Sequence, residues 1–147
     1  MNSDPVISGI ILSDLVIREW ATGKLSLIGC FNLYNVPGFP FQVPPFFVTV
    51  MITNIKGKFE KPKTVTVRFE DPSNACVLAN MSSQMNAPSD YNFTGVEVLE
   101  LPFPLFSFFI SHAGNYSIDV IIDGEKVGSR KIAVMSTTAQ HPPNQKQ

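Results

Sequence analysis

The sequence predicts an all-β protein, a single antiparallel immunoglobulin-like β-sandwich of about 7–9 strands. Three observations carry this. Apolar residues recur with period two in segment after segment, and no stretch sustains the 3.6-residue period of a helix. Twelve prolines and nine glycines punctuate those segments, and proline is excluded from helix interiors. Finally, Asp123-Gly124 sits between two alternating runs and marks a tight hairpin turn. That hairpin is entered through Tyr116, just past Gly114. A tyrosine there suits the corner of an immunoglobulin-like sandwich, where its hydroxyl bonds back to the backbone.

The elements follow in order. Val6–Leu12 is a strand, and Leu15–Trp20 continues it after a break at Ser13-Asp14. Ala21–Lys24 is a turn. Lys24–Tyr34 alternates Leu25, Leu27, Phe31 and Leu33 against a second face that holds Ile28 and Cys30. Both faces are partly apolar, as in a central strand. Val36–Phe46 holds four prolines and is expected to be irregular. Phe47–Asn54 and Thr64–Glu70 are strands, the latter with Val65, Val67 and Phe69 inward. Asp71–Asn74 is a turn by composition and Ala75–Met81 a short strand. Ser82–Gly95 reads as a long loop, and Val96–Phe103 and Leu105–Ser111 as strands separated by Pro104. Tyr116, Ile118, Val120 and Ile122 face the core, and Lys126–Met135 returns with Ile132 and Val134 inward. The domain is expected to span 1–135, with 136–147 a disordered tail.

The chain has 147 residues, enough for one well-buried domain. Its net charge is −1. Such a balance argues against nucleic-acid and membrane-surface partners. The basic run Lys56, Lys58, Lys61 and Lys63 is expected to be a solvated loop. The N-terminal apolar run lacks a positive n-region and is read as a mature strand, and no run is long enough to span a membrane. A cytoplasmic location follows as the expectation. Cys30 and Cys76 are then reduced core residues.

No catalytic residue, cofactor site or metal site is predicted. His141 lies in the tail and His112 in a turn before Gly114, where an exposed histidine is the expectation. Zinc spacing, nucleophile elbows and phosphate loops are not found. Exposed aromatics are more informative. Phe39, Phe41 and Phe46 surround the proline-rich connection and, with Phe109, form the candidate interface. The favoured structural reading of the loop phenylalanines is that they fold down and plug the open end of the sandwich. Asp14, Arg18, Glu19, Trp20 and Lys24 cluster on the first hairpin as a candidate ligand or hairpin-fixing group. Arg18 is expected to pair with Asp14, four residues away on the same face.

The stretch Ser13–Phe31, SDLVIREWATGKLSLIGCF, is similar to the opening of a family of short, uncharacterised bacterial proteins. The matching positions are Asp14, Arg18, Glu19, Thr22, Gly23, Lys24, Ile28, Gly29 and Phe31, and the Phe-Pro segment and closing hairpin match too. The resemblance implies a bacterial source and a β-sandwich, and no activity.

The function expected is a non-catalytic cytoplasmic interaction module. It would bind an unknown protein, or itself as a homodimer, through edge strands or the Phe/Pro-rich loop 36–47. The alternative is a small-ligand or carbohydrate-binding sandwich that uses exposed aromatics such as Trp20, Tyr34 or Tyr91.

Overall fold

The computed structural model describes residues 4–137. Among these, thirteen strands and no α-helix are present. They are β1 (Val6–Arg18), β2 (Leu25–Phe31), β3 (Leu33–Val36), β4 (Phe41–Val43), β5 (Phe46–Thr53), β6 (Lys56–Gly57) and β7 (Lys63–Asp71). They continue with β8 (Cys76–Met85), β9 (Phe93–Thr94), β10 (Leu99–Leu105), β11 (Phe108–Ile110), β12 (Gly114–Ile122) and β13 (Glu125–Ser136). The strands beyond the expected number are pieces of two to four residues, such as β4 and β6.

Two sheets form the layers. The first is antiparallel in the order β10-β5-β1-β2. The second runs β3-β13-β12-β7-β8 and is antiparallel except for the parallel β3–β13 pair. Period-two alternation puts Leu12, Val48, Val50, Ile52 and Phe103 of the first sheet into the core. Val65, Val67, Phe69, Ile118, Val120 and Ile132 enter it from the second. The Asp123-Gly124 turn forms as expected, with φ of 48° and 86° at its two central residues.

Several expectations are corrected. The break at Ser13-Asp14 does not occur, since β1 runs unbroken through both residues. Gly29, opposite Asp14 in the register, makes room for it. Gly29 has φ +70°, and a Cβ there would collide with the Asp14 carboxylate. The segment Lys24–Tyr34 is not a central strand. It splits at Asn32 into β2, an edge of the first sheet, and β3, an edge of the second. Arg130 of β13 fixes this crossing, donating to Ile10 O at 2.6 Å and to Asn32 Oδ1.

The proline-rich connection is not wholly irregular, because β4 within it pairs with β11. Its phenylalanines fold inward. Phe39 and Phe41 are half-buried against the core, and Phe46 is 3% exposed. Phe46 is therefore no surface candidate. Its ring lies 5.7 Å from Phe31, 6.3 Å from Phe69 and 6.2 Å from Phe108, joining both sheets. Pro104 does not separate two strands either. Pro102 and Pro104 sit inside β10, an edge strand, where proline costs no ladder bond. The long loop expected over 82–95 is shortened, since β8 extends to Met85. Ser136 closes β13 against Val36, so the strand runs one residue past the boundary expected at 135. His141 and the rest of the tail lie outside the described residues.

Candidate functional site

Two features gather polar chemistry or exposed apolar surface. The first is a corner at one end of the sandwich. Asp71 ends β7, and the turn after it bends back over its carboxylate. Oδ1 accepts the Ser73 N–H at 3.1 Å and the Ser73 hydroxyl at 2.7 Å. Oδ2 accepts the Asn74 amide at 2.8 Å and His112 Nε2 at 2.7 Å. The other ring nitrogen, Nδ1, lies 2.8 Å from Ala113 O. Tyr116 stacks on the His112 ring, with centroids 5.4 Å apart, and its hydroxyl donates to His112 O at 2.7 Å. This is the tyrosine contact expected from the sequence.

The electrostatics follow from these bonds. Burial pushes the Asp71 carboxyl up, but hydrogen bonds from Ser73, His112 and Asn74 outweigh it and hold the group well below the usual carboxylate range. His112 is raised above the ordinary histidine value, first by the Ala113 carbonyl and then by Asp71. Both ring nitrogens face acceptors, which suits the imidazolium. Tyr116 is raised by burial and by the Asp71 charge.

A serine, a histidine and an aspartate thus meet, but not as a nucleophilic triad. A triad needs the imidazole between the other two, each on its own nitrogen. Here Asp71 takes the protons of both Ser73 and His112, and Nδ1 is spent on Ala113 O. Nε2 meets Asp71 at 2.7 Å and the Ser73 hydroxyl at 3.5 Å, while that hydroxyl lies 2.7 Å from Asp71 Oδ1, so the Ser73 proton goes to Asp71. The corner is a clasp between the β7–β8 turn and the start of β12.

The second feature is the β1–β2 hairpin. Pairing of β1 with β5 ends at Ser13–Phe47, because Pro44-Pro45 precede β5 and cannot continue the ladder. Pairing of β1 with β2 goes on to Arg18–Leu25. Leu15–Arg18 and Leu25–Ile28 therefore form a two-stranded ribbon past the end of β5. Leu15 (54% exposed), Ile17 (50%) and Ile28 (45%) lie on one face of it, and Trp20 at its tip is 99% exposed. A two-stranded ribbon alone is marginal in water.

The tip is tightly tied. The Glu19 N–H donates to Lys24 O at 2.8 Å, the Gly23 N–H to Glu19 O at 2.8 Å, and Arg18 Nη1 to Gly23 O at 2.9 Å. The expected Asp14–Arg18 ion pair does not form. Four residues along a strand span about 13 Å, so the pair would need both side chains fully stretched along the strand. Instead Arg18 turns toward the tip and Asp14 lies over Gly29.

The remaining candidates fall elsewhere. Phe109 is exposed, as is Phe106 near it. Tyr34 packs between Phe31 and Phe46, so it is not a stacking platform. Tyr91 borders a cleft of about 220 Å³ with Asn86, Pro88, Phe93 and Glu97. There Glu97 is occupied by the Tyr91 and Thr94 hydroxyls and by the Thr94 and Gly95 N–H groups. Cys30 and Cys76 are free, but both are exposed and not in the core, because each lies on an outward position of an edge strand. Among the described residues, no three His, Cys, Asp or Glu converge as metal ligands. Among them, no helix is long and apolar enough to cross a membrane. Sequence reasoning missed the Asp71–His112 pair, whose members are 41 residues apart. Only the Asp-Pro-Ser-Asn turn hinted at it.

Fold and sites together define a small all-β sandwich domain with a clasped corner and a two-stranded ribbon whose tip shares a cleft with Leu99 and Glu100 of β10. The chain belongs to a family of unknown function, DUF6941, whose sequence profile matches residues 8–135. No curated protein matches it. Among solved structures it is similar to a β-glucuronidase from glycoside hydrolase family 2, at 11% identity and a TM-score of 0.44. That match covers 68% of this chain and 11% of the glucuronidase, so the chain spans a small part of that protein's length.

Proposed function

We propose that the chain is a non-catalytic interaction module of the bacterial cytoplasm that docks a protein through the β1–β2 ribbon. One observation carries this. Leu15, Ile17 and Ile28 share one ribbon face, about half exposed, and the single tryptophan stands bare at the tip. Aromatic and aliphatic groups held on a rigid hairpin bind at low entropic cost. The half-burial of Phe39 and Phe41 favours the edge strands over the Phe/Pro-rich loop as the binding element. The exposed, unpaired Cys30 and Cys76 suit a reducing compartment. The Tyr116 corner bond supports the immunoglobulin-like type of sandwich.

Ile17→Asp tests the docking surface. The side chain is half exposed, so stability should fall by less than about 1 kcal/mol. Association, read by in-cell crosslinking of the full chain and mass spectrometry, should be lost. Crosslinks that persist unchanged in a folded Ile17→Asp protein would show that the ribbon is not the contact.

The Tyr91 cleft favours a second reading, in which a small sugar or aromatic ligand stacks on Tyr91. A thermal shift with a sugar panel that disappears in Tyr91→Ala would select it.

A further inference from the structure

Part of the second sheet lacks a strand. β12 pairs with β13 from Glu125 to Val134, but β3 flanks it only from Ala133 onward. The chain enters β3 from the other sheet at Asn32, so among the described residues no strand continues the line of β3 beside Ser129–Ile132. β1 does not fill it. A Cβ on Gly128, which would point inward, meets Ile7 Cγ1 at 2.8 Å. β1 therefore lies over the inner face of β13 and leaves its edge clear. Ser129 and Lys131 on that edge are exposed.

The backbone groups of the edge point outward. The two-residue turn at Asp123-Gly124 makes Ile122 and Glu125 a bonded pair. By alternation Val120, Ile118 and Tyr116 also face β13, and Gly128, Arg130 and Ile132 face back to them. Ser129 and Lys131 thus turn their N–H and C=O groups to the side that β3 occupies further on.

Where the vacant line meets Asn32 stands Arg130. It is half-buried, with Nη1 donating to Ile10 O at 2.6 Å and Nη2 to Asn32 Oδ1. Both acceptors are neutral, and among the described residues Arg130 makes no ion pair. A half-buried cation with neutral acceptors favours an anion at its free N–H groups. The exposed Lys131 adds charge of the same sign. The Asp119 carboxylate across the ladder is already taken, accepting the Ser129 hydroxyl at 2.7 Å and pairing with Lys126 at 3.3 Å. Beside the guanidinium a cleft of about 270 Å³ opens between Ile7–Ile10 and Gly128–Arg130. A strand laid here parallel to β13, as β3 is, runs toward Asn32 and ends there by its C-terminus.

We infer that this edge takes the C-terminal end of a partner peptide, paired in parallel at Ser129 and Lys131, with its carboxylate on Arg130 and an apolar side chain in the cleft. The site is apart from the β1–β2 ribbon and does not depend on docking there.

Amide NMR of the full chain tests it. Three probes are titrated to about 10 mM: acetyl-Thr-Val-Thr-Val as the free acid, the same peptide amidated at its C-terminus, and acetate. The free acid should shift the Ser129 and Lys131 amides and saturate with a Kd of about 1 mM. Amidation should weaken this at least about tenfold, because Arg130 then meets no charge. Acetate should leave the Ser129 and Lys131 amides in place, since it brings no strand to pair with them. Arg130 also braces the crossing at Asn32, so the variant is placed beside it. Lys131→Pro deletes one outward N–H, which an edge strand tolerates, and should weaken the free acid at least about tenfold. Should Lys131→Pro unfold, the comparison of acid with amide on wild type decides alone. A free acid that gives no saturable shift overturns the inference, and so do an amidated peptide that binds equally well and shifts confined to other strands. Acetate that moves Ser129 and Lys131 as the peptide does would make the ligand a small carboxylate and overturn the peptide. A folded Lys131→Pro protein that binds undiminished would overturn the pairing.

Discussion

Replacing Phe46 by alanine should cost about 3–5 kcal/mol, the range for deleting a large aromatic from a core. Phe46 is 3% exposed and touches rings from both sheets and from the β4–β11 ribbon: Phe31, Tyr34, Phe69 and Phe108. Its removal leaves a cavity that no single neighbour can fill, because those rings are already in tilted or edge contact with one another. The midpoint of thermal unfolding should drop by about 10 °C. Phe109→Ala is the comparison, since its ring is exposed and its loss should fall within about 0.5 kcal/mol. Denaturant unfolding of the two variants beside wild type checks both values. Equal losses would mean that Phe46 is not the junction of the layers.

Asp71→Ala is expected to cost about 2–3 kcal/mol, because the Ser73 hydroxyl, the Asn74 amide and His112 lose a common acceptor. The clasp also gives stability a pH profile. Asp71 is lowered in the folded state, so its contribution is whole above the unfolded value near 3.9 and fades as pH falls toward the folded value. His112 is raised, so its contribution is whole below about 6.5 and fades as pH rises through the folded value. The clasp is therefore strongest between about pH 4 and 6.5. His112→Ala should flatten the upper limb and leave the acid limb of Asp71 in place. Urea midpoints measured from pH 3 to 9 check this. An upper limb that persists in His112→Ala would place the titrating group elsewhere.

Local rules made much of the fold legible. Alternation placed Val65, Val67 and Phe69, and later Tyr116, Ile118, Val120 and Ile122, on the buried face. Asp-Gly marks the last hairpin, and the tyrosine beside a corner glycine predicts a hydroxyl bond to the backbone, whose acceptor is His112 O. Non-local partners were less legible. Nothing local tells Lys24–Tyr34 that it must change sheets at Asn32, since Arg130, the residue that fixes the crossing, lies 98 residues away. His112 read as an ordinary turn residue because its partner is on another strand end. The hairpin cluster is half legible: its residues stand out in the sequence, but Arg18 goes to Gly23 O at the tip and Asp14 lies over Gly29, and neither contact is readable from a spacing of four. That Leu15–Arg18 runs past β5 depends on where β5 starts, and Pro44-Pro45 sets that start.

The most direct test of the central claim, that the β1–β2 ribbon is where this protein meets its partner, is site-specific photocrosslinking of the full chain in cells from position 17, with the exposed position 109 as the comparison. The account predicts a crosslinked protein from position 17 and none from position 109. A crosslink from position 109 alone, or from neither position, would contradict it.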